Sequence, residues 1–225
     1  MALRVLTWNL FHGRSKPETR RSLLPQFSAM LAGWEWDVAL LQEVPPWWPV
    51  DLARAARASM RMALTSRNLL PGLQRAIAER RPDLLKSWAG GSNAILVRGQ
   101  AIREHRIRRL RRLPERRVAH GVRLDDGWWV TNLHAQAHLE ARAQADLDLA
   151  ADATTLWAAG APTVLGGDLN LRGAPTAFGF THLAGHFVDH VLGRGLEVVE
   201  AGRTLDRGTL SDHAPVTVVV GTGPE

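Results

Sequence analysis

The chain alternates between short apolar runs and segments with helical spacing, and the apolar runs are the more numerous. Near the start, LRVLTW at 3–8 predicts a strand, and DVALLQE at 37–43 predicts a strand that is buried on both faces. From residue 92 onward the strand-like runs are SNAILVR, AIREHRIRRL, RVAHGVRL, GWWVTNLH, PTVLGGDLN, FVDHVLG, LEVVEA and VTVVV. The DDG triplet that precedes GWWVTNLH predicts a hairpin turn.

Helical spacing recurs in four segments. In the first, apolar residues from Leu23 to Trp34 share one face, SKPE at 15–18 has the form of a capping box, and Pro25 must lie in the first turn or kink the helix. After the rigid aromatic loop PPWWP, two helical stretches are predicted around 50–63 and 69–80. The fourth segment runs over 139–157 and ends at Gly160.

The order of these elements predicts the fold class. Strands outnumber helices, and the two kinds alternate in two successive halves, as in a sandwich of two sheets flanked by helices. No period of 20–50 residues recurs, which excludes a solenoid. No Pro/Gly/Ser-rich linker divides the sequence, so we expect residues 1–225 to form one domain.

Composition narrows the classes of protein further. Hydrophobic residues make up 45% and charged residues 22%, which is typical of a soluble globular chain. No stretch approaches about 18 apolar residues, and the N-terminus lacks a signal-peptide pattern, so we expect a cytoplasmic protein without a transmembrane segment. No obligate protein partner is evident. The absence of cysteine excludes disulfides, thiolate zinc sites and cysteine nucleophiles.

The positive charge is carried almost entirely by arginine. Of 28 basic residues only Lys16 and Lys86 are lysine, and the net charge is +6. The planar guanidinium group matches phosphate oxygens, so this balance favours phosphate-bearing partners. A codon usage that raises the content of both alanine and arginine would give the same excess of arginine over lysine.

Polar side chains follow the ends of five apolar runs. Strand ends are where a rigid scaffold presents functional groups. Each residue alone has an ordinary structural explanation, such as a solvated strand end or a turn, but together they predict a site. The residues are Asn9, Glu43, His134, Asp168, Asn170, Asp189, Asp212 and His213.

The blocks TWNLFHG, DVALLQE, SNAILV, TNLH, GGDLN, FVDHV and SDHAPV, in this order, resemble the motifs of the endonuclease/exonuclease/phosphatase superfamily, whose fold is deoxyribonuclease-I-like. The resemblance covers about residues 3–220. It implies an α/β (α+β) fold, a four-layer sandwich of two packed mixed β-sheets flanked by helices. It also implies a phosphoesterase that depends on Mg²⁺ or Mn²⁺.

The resemblance also implies roles for the strand-end residues. Glu43 would be the main carboxylate ligand of the metal, with Asn9 and Asp212 beside it. Asp168 would orient and deprotonate the attacking water. Asn170 would hold that water or the phosphate, and His134 would donate to a non-bridging oxygen. Asp189 would pair with His213, which would stabilise the charge of the transition state.

Three further residues are candidates for substrate contact. Arg117, after the basic segment 103–117, could bind phosphate, or the arginines could be the solvated face of an edge hairpin. Trp47 and Trp48 could stack on a base or ring of the substrate. Alternatively, they could be a loop plug that packs over the sheet. Phe11 stands where many nucleases of this family carry an acidic residue, which leaves a second metal contact there unsupported.

These observations predict hydrolysis of a phosphodiester or phosphomonoester by in-line attack of an activated water. The substrate is a small molecule or a nucleic acid. The alternatives are a metal-dependent endo- or exonuclease, and a catalytically silent protein that binds nucleic acid or anionic membrane on the same scaffold.

Overall fold

The computed structural model describes residues 1–65 and 91–223. Its first sheet contains β1 (Ala2–Asn9), β2 (Val38–Val44), β3 (Ser59–Leu64), β4 (Ser92–Val97), β11 (Glu197–Thr204) and β12 (Val216–Gly221). The strand order is β11-β12-β1-β2-β4-β3, with β1 and β2 parallel and their neighbours antiparallel. The sheet is therefore mixed.

The second sheet contains β5 (Ile102–Arg111), β6 (Arg117–Leu124), β7 (Trp129–His134), β8 (Thr163–Asp168), β9 (Thr181–His186) and β10 (Asp189–Arg194). Its order is β5-β6-β7-β8-β10-β9, and only β7 and β8 are parallel. The helices are α1 (Leu24–Gly33), α2 (Pro49–Ala56) and α3 (Glu140–Ala158), together with a short 3₁₀ turn at Phe11–Gly13.

Three layers of apolar side chains hold four layers of backbone together. One layer lies between the two sheets, where strand residues such as Val5, Leu40 and Val130 are fully buried. A second joins the first sheet to α1 and α2, and a third joins the second sheet to α3. The predicted four-layer sandwich of two mixed sheets is thereby confirmed.

Helices α1 and α2 are fastened to the first sheet by one arginine. Arg98, just after β4, donates hydrogen bonds to Leu31 O and Ala56 O near the ends of α1 and α2, and to Trp34 O, at 2.8–2.9 Å. Its guanidinium group stacks 3.8 Å from the centre of the Trp36 ring. Helix carbonyls that lack intrahelical partners are thus satisfied by a cation, which also favours the helix dipole.

Several predicted elements differ in the structure. The helix predicted over 50–63 ends at Ala56, and Ser59–Leu64 instead forms an edge strand against β4. SKPE is not a capping box, because the first helix begins at Leu24 without a side-chain cap and Ser15 pairs with Leu210 in an isolated bridge. β9 was not predicted, and the helix predicted over 69–80 lies outside the described residues. None of the described helices is long and apolar enough to cross a membrane.

Candidate active site

A cleft opens at one end of the sandwich, where strands of both sheets terminate. It encloses about 520 Å³. Its lining takes in six of the predicted site residues and Arg117, together with other residues of the surrounding loops. They are Phe11, His12, Arg14, Glu43, Pro114, Glu115, Arg117, His134, Gln136, Ala137, His138, Asp168, Asn170, Asp212 and His213.

Strand register brings the predicted residues together. His134 pairs with Asp168 across the parallel β7 and β8, and Asp168 pairs with Asp189 across the antiparallel β8 and β10. In the facing sheet Asn9 ends β1 opposite Gln42 of β2. The side chains of Asn9, His134, Asp168 and Asp189 are all buried, so contacts within the protein hold them in position.

Asp168 is at the centre of the cleft. Asn9 Nδ2 donates to its Oδ2 at 2.8 Å, and the backbone N–H of Asn170 donates to its Oδ1 at 3.1 Å. His134 Nε2 lies 3.5 Å from Oδ2. Burial, with the charge of Asp189 adding to it, raises the pKa of Asp168 to about 7. A carboxyl group in this environment can exchange a proton near neutral pH.

Asp189 and His213 form a carboxylate–imidazole pair. His213 Nδ1 lies 2.7 Å from Asp189 Oδ2, and the two residues come from opposite sheets. Burial alone would lower the pKa of His213, but the hydrogen bond with Asp189 and the charges of Asp168 and Asp212 outweigh it and raise this pKa to about 9. Asp189 therefore fixes the orientation of the ring and keeps it cationic.

The loop that carries His213 is tied to the first strand. Ser211 Oγ donates to Asn9 O at 2.6 Å and accepts the backbone N–H of His213 at 3.0 Å. Trp8 Nε1 donates to His213 O at 3.1 Å. The imidazole is thus held relative to Asn9, which in turn holds Asp168.

Glu43 faces these residues from the end of β2. Its Oε1 lies 3.9 Å from His134 Nε2, the same nitrogen that lies 3.5 Å from Asp168. Its Oε2 lies 3.2 Å from His12 Nε2. The carboxyl groups of Glu43 and Asp168 therefore meet in one cleft, as the sequence predicted.

His12 was not predicted as a site residue. It lies in the 3₁₀ turn after β1 with a left-handed φ of 53°, so no strand pattern marks it. The FHG sequence was a possible signal, because Gly13 follows with a φ of 75° and a Cβ there would overlap the ring of Trp48. The turn is therefore built to aim the His12 side chain into the cleft.

The remaining candidates occupy the rim or the core. Asp212 lines the cleft, and its Oδ2 pairs with Lys16 Nζ at 3.0 Å. Arg117 is 4% exposed, lines the cleft and pairs with Glu115. Trp48 lies in the core against Phe27, with ring centroids 5.5 Å apart, and Trp47 packs against the same cluster. Neither tryptophan lines the cleft in the described part of the chain, which agrees with the loop-plug alternative.

The charge around His134 keeps that imidazole neutral. Burial lowers the pKa of His134 well below its usual value, and the electrostatic influence of Arg117, His213 and His12 lowers it further. His134 can therefore donate a hydrogen bond as a neutral ring while His213 carries positive charge. The two imidazoles are suited to different tasks.

Backbone strain is concentrated around the cleft. Six non-glycine residues adopt left-handed conformations there, with φ between 50° and 70°: Phe11, His12, Glu43, His138, Asn170 and Ser211. Gly167, one residue before Asp168, has a φ of 143°, and a Cβ at this position would overlap Leu133 O. Strained conformations persist only where the surrounding structure fixes them, and they occur frequently at functional sites.

Beneath the cleft residues, side-chain amides from the two sheets form a buried hydrogen-bond network. Asn132 Nδ2 donates to Leu41 O and Ala94 O at 2.9 Å, and its Oδ1 accepts from Gln42 Nε2 at 2.8 Å. Gln42 also donates to Thr7 Oγ1 at 3.2 Å. Thr7 and Asn132 lie two residues before Asn9 and His134, so this network fixes the spacing of the two sheets beneath the cleft.

The donor set fits a hard divalent cation. Glu43, Asp168 and Asp212 are carboxylates around one cleft, and the buried Oδ1 of Asp212 has no hydrogen-bond partner. Asp168, Asp189 and His213 also offer ligand atoms within 4.8 Å of one another, but two of those groups are already hydrogen-bonded to each other. Oxygen ligands suit Mg²⁺ and Mn²⁺.

Solved structures of low sequence identity share the fold. The endonuclease/exonuclease/phosphatase from Beutenbergia cavernae aligns with a TM-score of 0.74 at 21% identity, covering 99% of this chain and 72% of that one. The corresponding protein from Bacteroides vulgatus gives 0.73 at 14% identity, with 99% and 100% covered. TDP2 from Caenorhabditis elegans gives 0.71 at 16% identity, with 98% and 75% covered.

Sequence comparison agrees with the fold. No curated protein matches the sequence. The profile of the Endonuclease/Exonuclease/phosphatase family, however, matches residues 6–213, which begin in β1 and end at the histidine that pairs with Asp189. That span contains nearly every strand of both sheets and every residue that lines the cleft. The chain therefore belongs to the Endonuclease/Exonuclease/phosphatase family.

Proposed function

We propose that this chain is a divalent-metal-dependent phosphoesterase that hydrolyses a phosphodiester or phosphomonoester by in-line attack of water. The observation that carries the proposal is the cleft itself. A buried carboxyl group with a pKa of about 7, Asp168, faces an imidazole with a pKa of about 9, His213, and Glu43 lies across from both. The whole chain is the catalytic unit, because both sheets contribute.

Asp168 is the group that accepts a proton from the attacking water. A general base works best when its pKa lies near the working pH, and proton transfer of this kind contributes roughly 10²–10⁴-fold in rate. Asn9 holds Oδ2 and the Asn170 backbone holds Oδ1, so the carboxylate cannot rotate away. The Asn170 side chain, which donates to Ala135 O at 3.1 Å, borders the same position.

His213 and His134 act on the charge of the phosphoryl group. Held by Asp189, His213 presents Nε2 as a cationic donor, with 21% of its side chain exposed toward the cleft. His134 provides a neutral donor on the opposite side. Donors fixed in advance at the place where charge develops stabilise a transition state more than mobile solvent does.

Glu43 and Asp212 are the residues that would hold Mg²⁺ or Mn²⁺, with Asn9 beside them. When bound, such an ion polarises the phosphoryl oxygen and contributes several kcal/mol of charge stabilisation. In the structure both polar atoms of Asn9 already have partners, Asp168 and the Phe11 N–H. Asn9 therefore orients Asp168 whether or not it also contacts the ion.

The test is hydrolysis of bis-p-nitrophenyl phosphate and p-nitrophenyl phosphate with Mn²⁺ or Mg²⁺, followed by chelation with EDTA. We expect release of p-nitrophenol that requires the metal and that is abolished in the Asp168→Asn variant. Asp152→Asn, an exposed aspartate on α3, is the matched control and should keep full activity. Absence of metal-dependent release from every phosphate-ester class tried would favour the catalytically silent binding protein.

A nuclease is the second candidate, and the basic strand β5 is the observation that favours it. Arg108, Arg109 and Arg112 are exposed, and the strand leads into Pro114 and Arg117 at the rim of the cleft. A polynucleotide that contacts several of these arginines would bind less tightly as salt rises, with a steep logarithmic slope. Activity that is insensitive to salt would favour a small substrate.

A further inference from the structure

A pair of histidines lies outside the cleft, on the hairpin formed by β9 and β10. His182 Nε2 and His190 Nδ1 are 3.1 Å apart, and the other ring nitrogen of His190 lies 2.9 Å from Leu171 O. Neither histidine lines the cleft, and the proposed phosphoesterase chemistry does not use them. His190 is 3% exposed, whereas His182 is only partly buried.

The carbonyl contact fixes which nitrogen carries the proton. A carbonyl oxygen can only accept, so His190 Nε2 donates to Leu171 O and His190 Nδ1 keeps its lone pair. His182 Nε2 therefore donates to His190 Nδ1. Burial lowers the pKa of both rings, so the pair is neutral near pH 7. Neutral imidazoles are the form that binds metals.

Gly185 makes room for the two rings. Gly185 pairs with His190 across the hairpin. A Cβ at position 185 would overlap His190 Nδ1 and lie 2.9 Å from His182 Nε2. A larger residue would displace the rings, so glycine at this position keeps the two nitrogens next to each other.

We propose that His182 and His190 bind a transition-metal ion of the Zn²⁺ class at a site separate from the cleft. Zn–N bonds of about 2.0–2.1 Å place two ligand nitrogens roughly 2.9 Å apart at a right angle and roughly 3.3 Å apart in a tetrahedron. The 3.1 Å separation falls within that range. Imidazole favours Zn²⁺, Cu²⁺ and Ni²⁺, whereas the oxygen ligands of the cleft favour Mg²⁺ and Mn²⁺.

The surroundings of His190 match those of metal-ligating histidines. Such residues donate the second ring N–H to a carboxylate or a backbone carbonyl, which fixes the ring and makes the free nitrogen a better ligand. The bond to Leu171 O already provides this. No third His, Asp or Glu completes a three-ligand group with the pair in the described residues, so water fills the remaining positions.

Metal binding replaces the hydrogen bond between the rings. His182 changes tautomer: its proton moves from Nε2 to Nδ1 through solvent, and both lone pairs then bind the ion. No proton is released overall. His182, the partly exposed partner, rotates to direct its lone pair at the ion, because the present centroid separation of 5.2 Å is that of a hydrogen-bonded pair.

The test is calorimetric titration of ZnCl₂ into the full chain saturated with MgCl₂, compared with His182→Gln. The glutamine amide can still donate to His190 Nδ1, so the fold is kept while the metal-binding lone pair is removed. We expect the variant to bind one zinc ion fewer per chain. His186→Gln, which removes an exposed imidazole from the same strand, is the control and should bind as the unaltered chain does.

A second measurement identifies the ligands directly. In ¹⁵N spectra of the histidine rings, ZnCl₂ should shift His190 Nδ1 and His182 Nε2, and His182 should show the change of tautomer. Equal zinc stoichiometry in the unaltered chain and His182→Gln, or ring resonances that zinc leaves unchanged, would overturn the proposal. Because no turnover is measured, this result is independent of whether the phosphoesterase proposal holds.

Discussion

Replacing Asp189 with asparagine removes one negative charge from the carboxylate–imidazole pair and almost nothing else. Asparagine has the same shape, and Asp189 is 2% exposed, so the fold should survive. What remains around His213 is burial, which lowers its pKa, and the more distant charges of Asp168 and Asp212, which raise it. We expect the pKa of His213 to fall from about 9 to near 6.5 or lower.

The size of the effect follows from the two pKa values. Because the folded-state pKa lies above the ordinary value of histidine, the imidazolium persists as the pH rises until about 9. At about pH 8 the fraction of charged imidazole falls from roughly 90% to roughly 3%, a loss of about 30-fold. Hydrolysis at that pH should fall by at least this factor. As the pH is lowered toward 6, Asp168 loses its base form in both proteins, but the rate of the variant relative to that of the unaltered chain should recover, because the His213 ring of the variant becomes charged.

The first assay needs no activity. A proton NMR titration of the His213 ring in EDTA gives the pKa of the metal-free protein directly, and Asp152→Asn serves as the control. The second assay is the pH profile of bis-p-nitrophenyl phosphate hydrolysis. A His213 pKa that stays near 9 in Asp189→Asn would refute the reasoning, because another group would then be holding the charge.

Four further substitutions test the scaffold, each by thermal or urea unfolding. Gly167→Ala should cost more than about 3 kcal/mol, because its Cβ overlaps Leu133 O. Gly99→Ala, which shares a positive φ but has open space around it, should cost only roughly 1–2 kcal/mol, and equal losses would show that the overlap is relieved. Asn132→Ala removes three hydrogen bonds between buried groups and should cost about 3 kcal/mol; a smaller loss would mean that the two sheets do not depend on the amide network. Arg98→Ala removes hydrogen bonds to α1 and α2 and should cost about 3 kcal/mol, whereas an unchanged midpoint would show that these two helices are held by apolar packing alone.

The central strands could be predicted from sequence because burial on both faces leaves a continuous apolar run. The edge strands could not be predicted in this way. Ser59–Leu64 is rich in residues that favour helices, and only its pairing with β4 makes it a strand. Thr181–His186 contains a glycine and two histidines and is ordered by pairing with β10. The local sequence pattern does not predict a strand that forms only because it pairs with a neighbouring strand.

The same distinction applies to the site. Residues such as Asp168 and His134 end buried strands, so the pattern located them, and strand register then brought them together. His12 lies in a turn whose direction depends on packing of Gly13 against Trp48, a contact that no periodicity reveals. The histidine pair at 182 and 190 depends on hairpin register in the same way. Apart from the pair of Asp189 with His213, which the family resemblance implied, such pairings across space could not be predicted from the sequence.

The left-handed residues around the cleft have a consequence for attempts to make the protein more robust. Replacing Phe11 with glycine relieves an unfavourable backbone conformation, so a screen for heat resistance should select this change early. The same exchange loosens the turn that aims His12. Heat-resistant variants collected without an activity screen should therefore accumulate at the mouth of the cleft and be poor catalysts.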